Sequence, residues 1–153
     1  MEPITIQEIL EAVNGKLLGE APDLSLTVDR VDTDSRNIHP GALFLPLEGE
    51  RFDGHAFIND ALDHGAAGCL TARERTSYRP DKFYIKVSNT QRALRDLARW
   101  YKSRFDIPFI GITGSVGKTT TKDMVAAVLG EHYKVLKTEE GVVVSYEIGR
   151  AHV

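Results

Sequence analysis

The chain has 153 residues, of which 42% are hydrophobic and 27% charged, a globular composition that excludes disordered and low-complexity classes. A formal net charge of -3 argues against a nucleic-acid partner gripped by a basic face, and the single cysteine, Cys69, excludes an internal disulfide. No basic-then-apolar leader opens the chain and no apolar run approaches the ~18 residues of a membrane span, so a cytoplasmic protein with no membrane partner is expected.

Thr5, with Glu8 three residues later, has the pattern of a capping box, and Ile6, Ile9, Leu10 and Val13 form the apolar face of a short helix that Asn14-Gly15 ends. A strand is predicted over residues 24–31 and a short buried one over Ala42-Leu43-Phe44-Leu45-Pro46-Leu47. Residues 55–64 read as a helix with Phe57, Ile58, Ala61 and Leu62 on one face and Gly65 as its stop. Strands are predicted at 68–71 and 83–87; Cys69, in an apolar run of the first, reads as a packing residue rather than a nucleophile. Ser88 or Thr90 is expected to cap a longer helix in which Leu94, Leu97, Ala98, Tyr101 and Phe105 recur at three- and four-residue spacing.

From Pro108 onward the pattern is strand, loop, helix, strand. Phe109, Ile110 and Ile112 suit a buried strand, Met124, Val125, Val128 and Leu129 mark a helix that Gly130 ends, and residues 133–137 alternate like a second strand. That succession is a βαβ unit, for which a right-handed crossover is expected. Its loop, Thr113-Gly114-Ser115-Val116-Gly117-Lys118-Thr119-Thr120, has the outline of a nucleoside triphosphate site. Glycines let successive backbone N–H groups converge on clustered negative charge, and the following helix adds its unpaired N-terminal N–H groups. Gly114, Ser115, Val116, Gly117, Lys118, Thr119 and Thr120 are therefore the expected nucleoside triphosphate-binding residues. Lys118 would reach the β- and γ-phosphates as the catalytic charge, and the Thr119 hydroxyl would hold Mg2+. The general pattern has a glycine five residues before Gly117, where this chain has Ile112, so the loop is a narrower variant. A glycine-rich turn without a ligand, and a GTPase or kinase using the same loop, are the competing readings.

Two polar loops precede it at strand ends, where α/β proteins place ligands. They are Asp32-Thr33-Asp34-Ser35-Arg36 and Glu48-Gly49-Glu50-Arg51-Phe52-Asp53-Gly54-His55. Taken singly, the first could be a turn with an ion pair and the second a turn leading into an N-cap. Together they offer hydroxyl donors and an arginine whose planar fork can hold two phosphate oxygens, and their place upstream of a phosphate loop favours binding.

Thr33-Asp34-Ser35-Arg36, Pro40-Gly41-Ala42-Leu43-Phe44, the loop from Gly49 to His55, Ala61 with Gly65-Ala66, and the run from Gly111 to Lys122 occur in an order that resembles the amino-terminal portion of the Mur ligases of peptidoglycan synthesis. The 49–55 loop and Ser-Val-Gly-Lys-Thr-Thr-Thr-Lys are most similar to the branch that joins D-alanyl-D-alanine to UDP-N-acetylmuramoyl-tripeptide. The resemblance implies an ATP-dependent ligase acting through an acyl phosphate, with both substrates as its small-molecule partners and a monomer at full length. It implies that Ser35, Arg36, Asp53, Gly54 and His55 bind the UDP-sugar. The implied fold is α/β: a small amino-terminal substrate-binding domain over 1–88, a connecting helix and linker over 89–107, and the first βαβ unit of a P-loop ATPase domain over 108–146. The preceding amino-acid ligase acting on a UDP-muramoyl-dipeptide, a folate polyglutamate-type enzyme, and a nucleotide-sugar module without catalysis stay open as alternatives.

Two features depart from the family. Members are much longer, so a truncated and inactive chain is expected, without the downstream magnesium-binding acid, modified lysine and histidine. Where the family typically has Gly-Asn-x-Asn-Asn, this chain has Glu140-Gly141-Val142-Val143-Val144-Ser145-Tyr146. Glu147-Ile148-Gly149-Arg150-Ala151-His152-Val153 back-translates into the start of a common DNA sequencing adapter, so residues 147–153 are expected to be a non-native tail.

Overall fold

The computed structural model describes residues 1–20, 22–49 and 52–137 and the strand backbone of 147–150. The chain forms two compact units, Met1–Ser103 and Arg104–Val153.

In the first unit, β1 (Ile4–Thr5) leads into α1 (Ile6–Val13), followed by β2 (Lys16–Leu18), β3 (Thr27–Val28) and β4 (Val31–Asp32). Then come β5 (Leu43–Phe44), β6 (Glu48–Gly49), β7 (Phe52–Asp53), α2 (Ile58–Asp63), β8 (Gly68–Thr71), β9 (Phe83–Lys86) and α3 (Thr90–Ser103). A five-stranded sheet of order β2-β9-β8-β5-β4 is the frame, parallel except for β2 against β9. Strand alternation divides it into two buried faces. Leu43, Leu70, Phe83 and Ile85 point to the side covered by α1 and α3, where Ile6, Ile9, Val13, Ala93 and Leu97 complete the larger core. Phe44, Cys69 and Tyr84 point to the opposite side, against Ile58, Ala61 and Leu62 of α2. Burial pushes the Cys69 thiol up to about 12, which makes it an inert packing group.

Local chemistry sets the helix ends. The capping box forms, with the Thr5 hydroxyl accepting from Glu8 N–H at 3.1 Å and Glu8 Oε2 accepting from Thr5 N–H at 2.8 Å. Asn14 ends α1 in the left-handed region at φ 47°. The cap of α3 is neither Ser88 nor Thr90: Asn89 Oδ1 accepts from Arg92 N–H at 2.8 Å. The predicted strand over 24–31 forms as two short pieces in different sheets, β3 antiparallel to β1 and β4 parallel to β5. The helix predicted over 55–64 begins later, because Gly54–Phe57 winds as a 3-10 turn before α2. The helix assigned to the connecting segment packs into the first unit through Ala93 and Leu97, and the Tyr101 hydroxyl accepts from Glu2 N–H at 2.8 Å.

In the second unit, α4 (Lys118–Gly130) is followed by β10 (Tyr133–Leu136), which pairs antiparallel with β11 (Glu147–Arg150). The expected parallel βαβ arrangement is not formed among the described residues. Residues 108–112 carry no strand, since a strand exists only through a ladder and no parallel neighbour is described for it. Asp123 accepts from Lys137 Nζ at 2.9 Å, tying α4 to the end of β10. Glu50, Arg51, the segment 140–146 and residues 151–153 of the expected tail lie outside the described residues.

Candidate functional site

A cleft of about 750 Å³ opens in the first unit beyond the carboxyl ends of β4 and β5, where parallel sheets expose their ligand-binding loops. Thr33, Asp34, Ser35 and Arg36 form one wall, Glu48, Gly49, Phe52 and Gly54 the other, and Gln91 reaches it from α3. The apolar floor includes Phe44 and Leu47.

The first wall is shaped by Asp34. Its carboxylate caps the 3-10 turn Ser35–Asn37 by accepting from Arg36 N–H at 3.0 Å. It also takes both arms of the Arg36 guanidinium, Nε at 2.9 Å and NH2 at 2.7 Å. These bonds hold the Asp34 carboxyl down to about 2. The ion pair of the plain reading is thus present, yet the Arg36 side chain is 85% exposed and turns its outer edge to solvent at the mouth of the cleft.

The second wall is the β6–β7 hairpin, in which Glu48 faces Asp53 and Gly49 faces Phe52. Phe52 stacks on Phe57 with centroids 5.3 Å apart and rings inclined by 17°. Asp53 caps the 3-10 turn Gly54–Phe57, accepting from His55 N–H at 3.0 Å; this bond, ahead of the contacts with the His55 ring and Arg73, lowers its carboxyl below the usual range. Gly54 is required by close packing: a Cβ there would meet Leu47 O at 2.7 Å and Leu47 N at 2.8 Å. Its N–H donates to that same Leu47 carbonyl at 2.9 Å, closing the turn.

Of the five expected UDP-sugar residues, Ser35, Arg36 and Gly54 line this cleft. Asp53 and His55 line a smaller neighbouring cleft, of about 360 Å³, with Thr71, Arg73 and Arg75. The buried His55 ring is already engaged at both nitrogens. Nε2 accepts from Ala72 N–H at 3.0 Å, so the proton of the neutral ring resides on Nδ1, which donates to Asp53 Oδ1 at 2.9 Å. Glu48, Asp53 and His55 bring their polar atoms within 4.8 Å of one another, a spacing that can suit a metal ion. With Nε2 accepting from Ala72 N–H, a metal on Nδ1 would have to displace the one remaining ring proton, which makes this histidine a poor ligand in its present setting. Sequence reasoning missed Phe52 as a stacking wall, Gln91 and Arg73. The position of Arg73 just past a parallel strand was the available signal.

In the second unit Gly117 sits before α4 in the left-handed region at φ 80°, with open space where a Cβ would project. Lys118 Nζ donates to the Gly114 carbonyl, which lays the ammonium over the loop. Ser115, Val116, Thr119 and Thr120 are exposed and the first turn of α4 carries no acidic residue. An uncrowded glycine turn, an overhanging cation and a helix start free of acids fit a polyphosphate, and the exposed Thr119 hydroxyl fits a metal bound to it.

The Mur ligase family catalytic-domain model matches residues 27–102 and the Mur ligase middle-domain model matches residues 112–149. The chain is 44% identical over 135 residues to UDP-N-acetylmuramoyl-tripeptide–D-alanyl-D-alanine ligase of Bacillus subtilis, covering 88% of this chain and 29% of the relative. It is 36% identical over 138 residues to the enzyme of the same name in Escherichia coli, covering 90% and 29%. Among solved structures, crystal structure II of MurF from Acinetobacter baumannii matches with a TM-score of 0.78 at 31% identity, over 88% of this chain and 29% of that one. MurF ligase from Thermotoga maritima in complex with ADP matches with a TM-score of 0.65 at 33% identity, over 74% and 26%. The chain thus spans under a third of the length of the relatives it matches.

Proposed function

The chain belongs to the Mur ligase family, and on that premise we propose that it is the amino-terminal part of an ATP-dependent ligase joining D-alanyl-D-alanine to UDP-N-acetylmuramoyl-tripeptide. The observation that carries the proposal is the cleft of the first unit. An arginine and a serine stand on one wall and an aromatic ring and a backbone turn on the other, at the carboxyl ends of parallel strands. A nucleoside diphosphate sugar presents the complementary set, a flat apolar base and an anionic diphosphate.

Ser35, Arg36 and the backbone at Gly54 would contact the UDP-sugar, while Asp53 and His55 shape the turn that carries Gly54. The loop Gly114–Thr120 would hold ATP, with Lys118 bringing positive charge to its phosphates and the Thr119 hydroxyl serving Mg2+. ATP supplies the phosphoryl group that activates the tripeptide carboxylate for attack by the amine. The contribution of Lys118 is positional and electrostatic: it neutralises charge that grows on the phosphoryl oxygens. A cytoplasmic monomer fits the soluble substrates, and no described helix is long and apolar enough to cross a membrane. The strand ends, turns and caps that line the cleft all belong to the first unit.

Calorimetry on the 153-residue chain tests the proposal. UDP-N-acetylmuramoyl-tripeptide and ATP should each bind separately, and Lys118→Ala should weaken ATP binding by about ten- to a hundredfold without changing UDP-sugar affinity. A preference for GTP over ATP, or no binding of the UDP-sugar, would overturn the ligase assignment. Tighter binding of the UDP-muramoyl-dipeptide than of the tripeptide would move the chain to the preceding ligase.

A further inference from the structure

A hairpin with two residues on each strand cannot hold itself together in water, and β6–β7 has a second problem. Its first pair sets Glu48 directly opposite Asp53, two like charges whose repulsion opposes the pairing. We infer that Arg73, to which neither the family likeness nor the cleft assigns a role, is the positioning residue that holds this wall of the cleft in place. The inference rests on the UDP-sugar reading of that cleft.

The guanidinium spans both strands of the hairpin. NH1 lies 2.8 Å from Asp53 Oδ2 and NH2 lies 3.1 Å from Glu48 Oε1, so one planar fork offsets both carboxylates. Each contact is partly exposed and modest alone, but together they join strands that otherwise repel. The arginine is itself oriented at its base. The buried Thr71 hydroxyl at the end of β8 accepts from Arg73 N–H at 3.1 Å and donates to Arg73 O at 2.9 Å, which anchors the residue to the central sheet. His55 adds a second tie to the same strand end through Ala72, and Gln91 Nε2 donates to the Glu48 carbonyl at 2.6 Å.

The consequence for the cleft follows from strand alternation. Adjacent residues of β7 point to opposite faces, so with Asp53 drawn toward Arg73, Phe52 is presented to the cleft, where it stacks on Phe57. Arg73 never lines the large cleft. It acts from behind the wall, and the Glu48, Asp53 and His55 cluster that resembles a metal site has this arginine as its resident cation.

The test uses the 153-residue chain with Arg73→Ala, Arg73→Lys, and Arg73→Ala combined with Glu48→Gln. Affinity for UDP-N-acetylmuramoyl-tripeptide is read by calorimetry, amide exchange at Phe52 and Gly54 by NMR, and global stability by thermal melting. Arg73→Ala should weaken the UDP-sugar about tenfold and speed exchange at Phe52 and Gly54 while the melting temperature stays near wild type. Glu48→Gln in that background should restore part of the affinity by removing the repulsion. Arg73→Lys should fall between, since an ammonium cannot bridge both carboxylates as a fork does. Unchanged affinity in Arg73→Ala, or a loss that follows the melting temperature and does not respond to Glu48→Gln, overturns the role. If the wild-type chain binds no UDP-sugar, the ligand reading fails, and exchange at Phe52 and Gly54 decides separately whether Arg73 holds the hairpin.

Discussion

The two units treat their apolar side chains differently. In Met1–Ser103, Leu43, Leu45, Leu70 and Ile85 are fully buried between the sheet and its helices. In Arg104–Val153, Met124 is 66% and Val128 is 70% exposed on α4, and Leu136 of β10 is 62% exposed. Both units have helices with apolar residues at three- and four-residue spacing, so periodicity alone does not separate them. What separates them is a partner: α1, α2 and α3 each find a face of a five-stranded sheet, whereas α4 is described only against a two-stranded ribbon. The sites differ in the same way. The first unit's cleft is assembled from loops far apart in sequence, and the phosphate loop of the second is one continuous stretch.

The comparison can be broken most directly by removing equivalent side chains from the two units. Leu70→Ala should cost about 2–5 kcal/mol, because a fully buried leucine leaves a cavity between the sheet and α1 and α3. Val128→Ala on the exposed face of α4 should stay within about 0.5 kcal/mol. Denaturant melts of the two variants check the pair, and equal losses would mean that Val128 is covered in solution.

A smaller effect separates the two kinds of glycine. Gly54→Ala should destabilise the first unit by about 1–3 kcal/mol and weaken UDP-sugar binding, since the methyl has no room beside the backbone of Leu47. Gly117→Ala meets open space, so its penalty is the left-handed φ alone, and it should affect nucleotide binding rather than the cleft. Thermal melting with calorimetry for each ligand distinguishes them.

The smallest expected effect is electrostatic and local. Asp34 should titrate at about 2 rather than the ordinary 3.8, and Arg36→Ala should return its midpoint toward 3.8, read from the carboxyl carbon by NMR. The sign follows from the lowered folded value. The Asp34–Arg36 pair favours the folded turn at all pH above the ordinary value, and that contribution disappears as pH falls from about 4 toward 2. An unshifted midpoint would show that Arg36 is not held by Asp34 in solution and is free to meet a ligand directly.

Much of the first unit was legible from local chemistry. The Thr5–Glu8 capping box and the apolar face of α3 depend on residues a few positions apart, and the apolar run at 68–71 is a local pattern too, although the ladders that make it a strand run to residues 43–44 and 83–86. The strand predicted over 24–31 broke into two because its halves pair with different strands, a choice that no local pattern records. Ser35 and Arg36 were expected at a ligand site from residue type and place at a strand end, and Gly54 from the family resemblance; all three line the cleft. Asp53 and His55 were expected there by the same resemblance, but both turn toward the smaller cleft, where Arg73 and Ala72 engage them. The predicted parallel strand before the phosphate loop did not form, because a strand's identity belongs to its neighbour as much as to itself.

By itself, the sequence determined which stretches are amphipathic, the capping box that opens α1, and that a glycine turn at Gly114–Lys118 leads into a helix, since each depends on bonds within a turn or two. Only the tertiary structure decided which wall of the cleft each polar residue faces, that the His55 ring carries its proton on Nδ1, and that Arg73 sits between two opposed carboxylates. Those facts arise from groups brought together across 17 to 25 residues by sheet pairing, and a linear pattern does not carry the register and facing that bring them into contact.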